Sequence, residues 1–360
     1  MLTSAISLAL MGQAFAVGDL KEFTDWVVGC DNLGACHATS LAEEEYQEGD
    51  DGPIGDGTLS VSLKAGPAPG DGLVIQLAIM GWASETNLGS VQKLALDSRS
   101  IDVRLSSKDG LYSLDNRNSQ RLIAASRSAR KIALLDARGQ EVASASLRGW
   151  RDALTYIDTQ QYRTGTTSAL ARTGRKPWNY SVIPPMVPQQ PVYLPPRTDR
   201  PASEVDATQL ATLKALDPCI KYNEGATAEP PEYTRLDDRH SLMILPTTCG
   251  GYNPYRMLLI VDENGRSSKA EFWPYPGNAM LEDPELPDVR WNEDARRLLS
   301  FGRGRSLADC GEASEYVWDR GKFRLVNFKS MYPCRSGGSY DYITTYRREV
   351  VDSSEATVRE

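Results

Sequence analysis

Residues 158–166 carry the polar side chains whose spacing best fits ligand recognition. Asp158 and Gln161 are three positions apart, so a helix would place both on one face. Arg163 follows at the expected helix end, where a cation complements the negative pole of the helix dipole. Together with Thr166, these groups could form a polar binding patch. The simpler interpretation is structural, because hydrogen bonds between the helix end and the following turn account for every one of them.

Hydrolytic chemistry has weaker support. A Ser-His-Asp set needs a histidine, and neither His37 nor His240 is accompanied by a Gly-x-Ser-x-Gly elbow. Paired carboxylates of the glycosidase type stay open as an alternative, because 48 acidic residues offer many pairs. We therefore assign no catalytic residue.

The six cysteines indicate disulfides rather than a metal centre. They fall into three pairs that are local in sequence: Cys30 with Cys36, Cys219 with Cys249, and Cys310 with Cys334. Six cysteines allow 15 pairings, and proximity favours this one. A zinc site needs CxxC pairs or histidines at ligand spacing, and the sequence has neither. We expect three disulfides formed in an oxidising compartment, with no metal and no other cofactor.

The first 16 residues have the pattern of a cleaved signal peptide. An apolar run over residues 5–11 precedes Ala14-Phe15-Ala16, and small residues at positions 14 and 16 fit the pocket of a signal peptidase. We expect export with cleavage after Ala16, and the alternative is a buried N-terminal helix. The sequence has no run of about 18 apolar residues, so no transmembrane segment is predicted.

Charge is distributed unevenly along the chain, whose formal net charge is −8. Residues 92–200 carry 18 basic against nine acidic residues, and residues 41–91 and 201–360 are acidic. A basic middle could attract an anionic partner such as a lipid headgroup or a polysaccharide. The bases are scattered and no aromatic residues alternate with them, which argues against nucleic acid. Mixing of the two signs on the folded surface is the simpler expectation.

The elements that position these groups are divided by a proline-rich segment. Eight of the residues between 176 and 201 are proline, which removes backbone donors and favours extended geometry. Trp178 and Tyr193 give this segment apolar anchors, either for packing or for a partner. We predict a signal peptide over 1–16, a β-rich domain over 17–175, a linker over 176–203, a second β-rich domain over 204–352 and a flexible tail over 353–360.

The predicted fold class is mainly β with a few short helices. Before the linker, segments such as residues 59–63 alternate with period two, and a helix is expected over 149–162. This pattern favours an antiparallel β-sandwich. After the linker, residues 242–261 and 298–328 each consist of a strand, a Cys-Gly corner, a strand and a turn, which predicts a duplicated β-meander.

Three segments together resemble a bacterial family known only as domain of unknown function eleven seventy-six. They are FTDWVVGCDNLGACHATSL (23–41), ALTYIDTQQYRTGTTSALARTG (153–174) and GRGRSLADCGEASEYVWDRGKFRLV (302–326). The resemblance implies export into a Gram-negative envelope and implies no activity. The N-terminal half is also similar to the invasion-associated locus B proteins, which are periplasmic. Asp158, Gln161, Arg163 and Thr166 match the family pattern, whereas Tyr162 stands where the family usually has glycine.

We expect an exported, disulfide-stabilised periplasmic protein that acts as a non-enzymatic binding or interaction module. Its partner would be an envelope protein or an anionic envelope component. One alternative is a periplasmic hydrolase that uses a carboxylate pair on envelope glycan or peptide. Another is an inhibitor of hydrolases that presents a protruding disulfide-pinned loop at residues 30–36. A carboxylate with a displaced pKa in a concave pocket would favour the enzyme, and an exposed aromatic patch would favour the module.

Overall fold

A computed structural model of the chain describes residues 18–42, 57–68, 71–80, 91–178, 190–217, 219, 229–273, 286–338 and 341–352. The predicted signal peptide and C-terminal tail lie outside the described residues, as do residues 179–189 of the predicted linker. Within the described ranges, no helix is both long and apolar enough to cross a membrane.

The N-terminal half, residues 18–178, is built mainly from strands. Its described strands are β1 (Lys21–Phe23), β2 (Trp26–Cys30), β3 (Cys36–Ser40), β4 (Leu59–Ala65), β5 (Leu73–Ile79), β6 (Val91–Leu96), β7 (Arg99–Ile101), β8 (Ser106–Lys108), β9 (Leu111–Leu114), β10 (Lys131–Asp136) and β11 (Glu141–Ser146). Its described helices are α1 (Asn116–Ala125) and α2 (Trp150–Gln160), and a short 3-10 helix, Ser126–Ser128, follows α1.

These strands form two antiparallel sheets. One has the order β1-β2-β3-β4-β5-β9-β8, and the other has the order β11-β10-β6-β7. Side chains alternate between the two faces of a strand, so Leu73, Ile75 and Leu77 of β5 all point into one core. Leu94 and Leu134 of the second sheet enter the same core. The predicted class, mainly β with antiparallel sheets, is confirmed.

Two tryptophans attach α2 to the first sheet. The ring centroids of Trp26 and Trp150 are 4.3 Å apart. The Trp26 Nε1 group donates to the Ser146 carbonyl at 3.0 Å, and the Trp150 Nε1 group donates to the Ser126 hydroxyl at 2.9 Å. Because both indole N–H groups have partners, the two rings can be buried without an unsatisfied donor. This packing fixes the first turn of α2 against the first sheet.

The C-terminal half, residues 190–352, has more strands and one described helix, α3 (Ala207–Lys214). Its described strands are β12 (Val192–Leu194), β13 (Glu232–Arg235), β14 (His240–Pro246), β15 (Arg256–Asp262), β16 (Ser267–Lys269), β17 (Phe272–Trp273), β18 (Arg290–Asn292), β19 (Arg297–Arg303), β20 (Gly311–Asp319), β21 (Lys322–Met331), β22 (Ile343–Arg347) and β23 (Val350–Asp352).

Both predicted meanders are present in this half. One sheet has the order β13-β14-β15-β16, and the other has the order β17-β21-β20-β19-β18 with β22 beside β21. The hairpin between β20 and β21 turns at Arg320 and Gly321, whose φ angles are 50° and 85°. Positive φ at both central residues is what a type I′ hairpin turn requires.

The two halves share a buried boundary. Val27 and Leu41 of the N-terminal half form an apolar cluster with Met331, Tyr342 and Ile343 of the C-terminal half. Several ion pairs also cross between the halves. The division into two domains stays a prediction.

The described end of the proline-rich segment packs on the C-terminal half. Strand β12 pairs in parallel with β23, and Val192 is fully buried against Val317 and Val326. Residues 190–194 are therefore part of this half rather than a free spacer.

All three expected disulfides are present. They join Cys30 to Cys36, Cys219 to Cys249 and Cys310 to Cys334.

Candidate ligand-binding pocket

The last turn of α2 directs the first predicted site residue into the protein. Asp158 is 3% exposed, and its carboxylate accepts hydrogen bonds from the backbone N–H groups of Leu170 and Ala171 at 2.8 and 2.9 Å. Burial raises the pKa of Asp158, while these two hydrogen bonds and the nearby Arg163 oppose the rise. Both carboxylate oxygens therefore hold the 170–171 loop against the helix.

Gln161 connects the helix end to two distant loops. Its Nε2 group donates to the carbonyl oxygens of Gly34, Ala65 and Gly66, at 2.8, 2.9 and 3.1 Å. The side chain is 2% exposed, so these bonds satisfy carbonyl groups that water does not reach. Gln161 thus uses its Nε2 group on the backbone, whereas its buried Oε1 atom has no hydrogen-bond partner among the described residues.

The contact with Gly34 bears on the inhibitor hypothesis, which rests on a protruding loop at residues 30–36. Asp31 and Gly34 of this loop are buried. Asn32 exchanges two hydrogen bonds with the backbone of Arg347 in the other half, at 3.0 and 2.8 Å. The expected protrusion is therefore wrong, because the loop is held between α2 and the C-terminal half.

Arg163, like Gln161, leaves part of its hydrogen-bonding capacity unused. The side chain is 4% exposed, one terminal nitrogen donates to the Gly66 carbonyl at 2.8 Å, and the guanidinium carbon lies 4.6 Å from the Trp178 ring centroid. Its Nε atom has no hydrogen-bond partner among the described residues. Burial lowers the pKa of Arg163, and the negative charges of Asp158 and Asp71 oppose this shift.

Thr166 completes the predicted set as a turn residue. Its hydroxyl donates to the Arg163 carbonyl at 2.7 Å and lies 3.3 Å from the Ser168 backbone nitrogen. The structure therefore brings all four predicted residues together, and only Arg163 among them faces a cavity.

That cavity has a volume of about 280 Å³, just below the usual range for small-molecule pockets. Asn116 and Gln120 of α1 form one side, and Arg127 and Thr173 form another. Arg127 donates to the Thr173 hydroxyl at 3.0 Å. Among the described residues that line the cavity, Arg127 and Arg163 carry guanidinium groups and none carries a carboxylate.

Besides Asp158, three carboxylates among the described residues have raised pKa values, and none of the three lines this cavity. Asp341 is buried between the two halves, where burial raises its pKa to about 6. Burial also raises the pKa values of Asp31 and Glu312. Among the residues that the structure describes, no carboxylate with a raised pKa lines the cavity beside Arg163, so these groups do not support the hypothesis of a carboxylate-dependent hydrolase.

The two histidines have structural environments. His37 is buried between the halves, and burial lowers its pKa to about 3. His240 lies in a hairpin corner, where its Nδ1 atom is 2.9 Å from a carboxylate oxygen of Asp237. The other oxygen of Asp237 accepts a hydrogen bond from the Trp318 indole at 2.7 Å.

One group of candidate metal ligands also has a structural explanation. Asp217, Cys219 and Cys249 lie close together, but the two sulfurs are joined in a disulfide and so cannot bind a metal as thiolates. The Asp217 carboxylate accepts backbone hydrogen bonds from Cys219 and Thr248 at 2.9 and 2.7 Å.

Sequence reasoning missed the side of the pocket that Arg127 and Thr173 provide. Arg127 lies on a segment that carries no motif, and Thr173 lies within the 153–174 family segment but was not among the predicted site residues. No local signal could have found Arg127, because its position beside Thr173 depends on how the segment after α1 packs against the 167–173 loop.

The fold and the pocket define a mainly β, disulfide-bonded protein with a buried guanidinium group on the wall of a ligand-sized cavity. The chain belongs to the family described as protein of unknown function (DUF1176), which it matches over residues 20–349. The predicted family resemblance is therefore confirmed. The further similarity to the invasion-associated locus B proteins stays a prediction.

One curated relative is the uncharacterized protein YpfG of Escherichia coli strain K12. The two chains are 27% identical over 202 residues, which cover 52% of this chain and 55% of the relative. The chain thus spans about half the length of the curated relative that it matches. No solved structure matches the chain.

Proposed function

We propose that this protein is an exported binding module of the Gram-negative envelope and that the pocket beside Arg163 holds a small anionic ligand. The observation that carries the proposal is the charge of the cavity wall, where Arg127 and Arg163 are present and no described carboxylate is. Carboxylate and phosphate oxygens are the strongest acceptors for guanidinium N–H groups. A buried guanidinium with an unused donor also gains more from such a partner than an exposed one would.

The predicted site residues have separate roles in this proposal. Arg163 contacts the ligand. Asp158 and Gln161 are positioning residues, because one holds the 170–171 loop and the other ties the helix end to Gly34 and Ala65. Thr166 fixes the turn through the Arg163 carbonyl.

Export to the periplasm with cleavage after Ala16 is part of the proposal. The three disulfides support it, because disulfides form and persist in oxidising compartments. An anionic envelope component would be the natural source of the ligand.

Calorimetric titration of the disulfide-intact protein with succinate and with inorganic phosphate tests this function. We expect binding of at least one of these anions and a loss of about tenfold in affinity for Arg127→Gln, since a lost charge-assisted hydrogen bond costs at least this much. Arg127 is exposed at the pocket rim, so the substitution should leave the fold intact.

Arg130→Gln is the matched control, because Arg130 is also exposed but does not line the cavity. Its affinity should equal that of the wild type. The proposal fails if the wild type binds neither anion, or if the two variants bind with equal affinity.

A further inference from the structure

A second groove lies in the C-terminal half, where exposed aromatic side chains meet three arginines. Tyr193, Trp273, Arg320, Arg324 and Arg348 line it, and its volume is about 360 Å³. Among the described residues, none lines both this groove and the pocket beside Arg163. The groove is therefore a separate site, and the inference drawn from it does not rest on the function proposed for that pocket.

Strand alternation explains why the two aromatic rings face outward. In β17 the Phe272 ring stacks on Phe323 in the core, with centroids 5.3 Å apart, so the next residue, Trp273, points to the opposite face and is 51% exposed. In β12 Val192 is fully buried, and the next residue, Tyr193, is 40% exposed. Both rings are thus held on backbone that is fixed by buried neighbours.

The same sheet places the arginines beside these rings. Trp273 is the register partner of Arg324 in the parallel pair of β17 and β21, so both side chains lie on one face. Arg320 lies in the β20–β21 turn with its side chain 78% exposed. The Arg348 Nε group donates to the Gln190 carbonyl, which holds Arg348 at the groove edge.

The groove has a positive charge that its own acidic residue only partly offsets. Asp319 is the one acidic residue among the described lining residues. Its carboxylate oxygens lie 3.7 Å from Arg320 Nε and 3.8 Å from Arg324 Nε. These distances are too long for hydrogen bonds, so both guanidinium groups keep donors for an external anion.

We propose that this groove binds a short acidic saccharide, with a sugar ring against Trp273 and Tyr193 and the sugar carboxylate on Arg320 and Arg324. Aromatic rings offer a flat apolar face to the C–H groups of a sugar, and guanidinium groups bind carboxylates in a bidentate manner. The volume suits a ligand of one or two rings. A long polyanion is disfavoured, because the chain as a whole has a net charge of −8.

Digalacturonic acid is the probe, titrated into the full disulfide-intact chain by calorimetry or by two-dimensional NMR. We expect it to bind, and we expect Trp273→Ala and Arg320→Gly each to weaken binding by about tenfold or more. Glycine at position 320 suits the φ angle of 50° found there, so that variant should keep the hairpin turn. If Trp273→Ala fails to fold, as judged by circular dichroism, the Arg320→Gly result decides.

Arg138→Ala is the matched control, because Arg138 is an exposed arginine of a different hairpin turn, in the N-terminal half. It should leave the affinity for digalacturonic acid unchanged. Maltose, a neutral disaccharide, and the acidic dipeptide Glu-Glu should bind at least about tenfold more weakly than digalacturonic acid. Absence of binding by the wild type, equal binding of maltose or of Glu-Glu, or wild-type affinity in Arg320→Gly would overturn the proposal.

Discussion

Replacement of Asp341 by asparagine is expected to stabilise this protein at neutral pH. Asp341 is 2% exposed at the boundary between the halves, and its carboxylate accepts hydrogen bonds from the Ser60 hydroxyl at 2.7 Å and the Gly337 backbone at 2.8 Å. Burial raises its pKa from the ordinary value of 3.8 to about 6, although these two bonds and Lys64 oppose the rise. The ionised carboxylate is therefore less stable in the folded protein than in the unfolded chain.

The magnitude follows from this difference in pKa. A rise from 3.8 to about 6 corresponds to a cost of about 3 kcal/mol, which is present above about pH 6 and is relieved as the pH falls towards about 4. Asparagine has no charge, and it can accept from Gly337 while it donates to the Ser60 hydroxyl. Asp341→Asn should thus raise the free energy of unfolding by up to about 3 kcal/mol at pH 7 and by little near about pH 4.

His37 changes the free energy of unfolding with pH in the direction opposite to Asp341. Burial, with Lys64 and Lys329 nearby, lowers its pKa from 6.5 to about 3, so the unfolded chain binds the extra proton first and stability falls as the pH drops below 6.5. Between pH 7 and pH 5 the wild type should lose about 2 kcal/mol through His37 and regain about 1 kcal/mol through Asp341. The Asp341→Asn variant cannot regain stability through Asp341. Its free energy of unfolding should therefore fall more steeply than that of the wild type between pH 7 and pH 5.

Urea unfolding at pH 7, 6 and 5, without reductant, measures these differences. Asp25→Asn is the control of opposite sign, because hydrogen bonds from Ser146, Arg148 and Arg335 outweigh desolvation and lower the pKa of Asp25. That variant should be less stable than the wild type at pH 7. If Asp341→Asn also destabilises the protein at pH 7, or if its effect is the same at pH 7 and pH 5, the reasoning about a buried ionised carboxylate is refuted.

Three further outcomes are expected. Gln161→Leu should lower the free energy of unfolding by about 3 kcal/mol in urea, because three carbonyl groups lose their shared donor; a loss below about 1 kcal/mol would contradict a clamping role. Tyr162→Gly should raise the melting temperature, since Tyr162 has a φ of 55°, which costs about 1 kcal/mol for a residue with a Cβ atom. Tyr162→Phe keeps that Cβ and should leave the melting temperature unchanged. The intact mass without reductant should be lower by six hydrogens than that of the fully reduced chain, and a mass change of four or fewer would contradict at least one of the three disulfides.

The backbone conformation at position 162 gives a physical reason for the glycine that the family usually has there. Tyr162 follows Gln161, the C-cap residue of α2. Its backbone lies in the left-handed region, which glycine adopts without cost. At the other end of the helix, a Cβ on Gly149 would lie 1.7 Å from the Phe23 carbonyl oxygen. The predicted helix limits, Gly149 and Tyr162, lie just outside α2, and both residues have positive φ angles, 88° and 55°.

The structure gives a physical reason for Gly304 and Arg305 in the Gly302-Arg303-Gly304-Arg305 segment. A Cβ on Gly304 would lie 2.6 Å from the sulfur of Cys310, so the glycine is required by the close approach of the disulfide. Arg305 forms a bidentate ion pair with Asp309 at 2.7 and 2.6 Å. The segment is a tight corner of the second meander.

The sequence by itself determined the features that depend on neighbours in the chain. Period-two alternation, the three disulfide pairs and the spacing of Asp158 and Gln161 on α2 are all local, because the repeat of a strand or a helix is set by its own backbone. The local pattern could not reveal that Gln161 reaches Gly34, 127 residues away, or that Ser60 donates to Asp341 across 281 residues. Those contacts, and the cavity that Arg163 shares with Arg127, exist only because separate sheets and helices pack their buried faces together, and such packing depends on the shape and charge of many distant side chains at once.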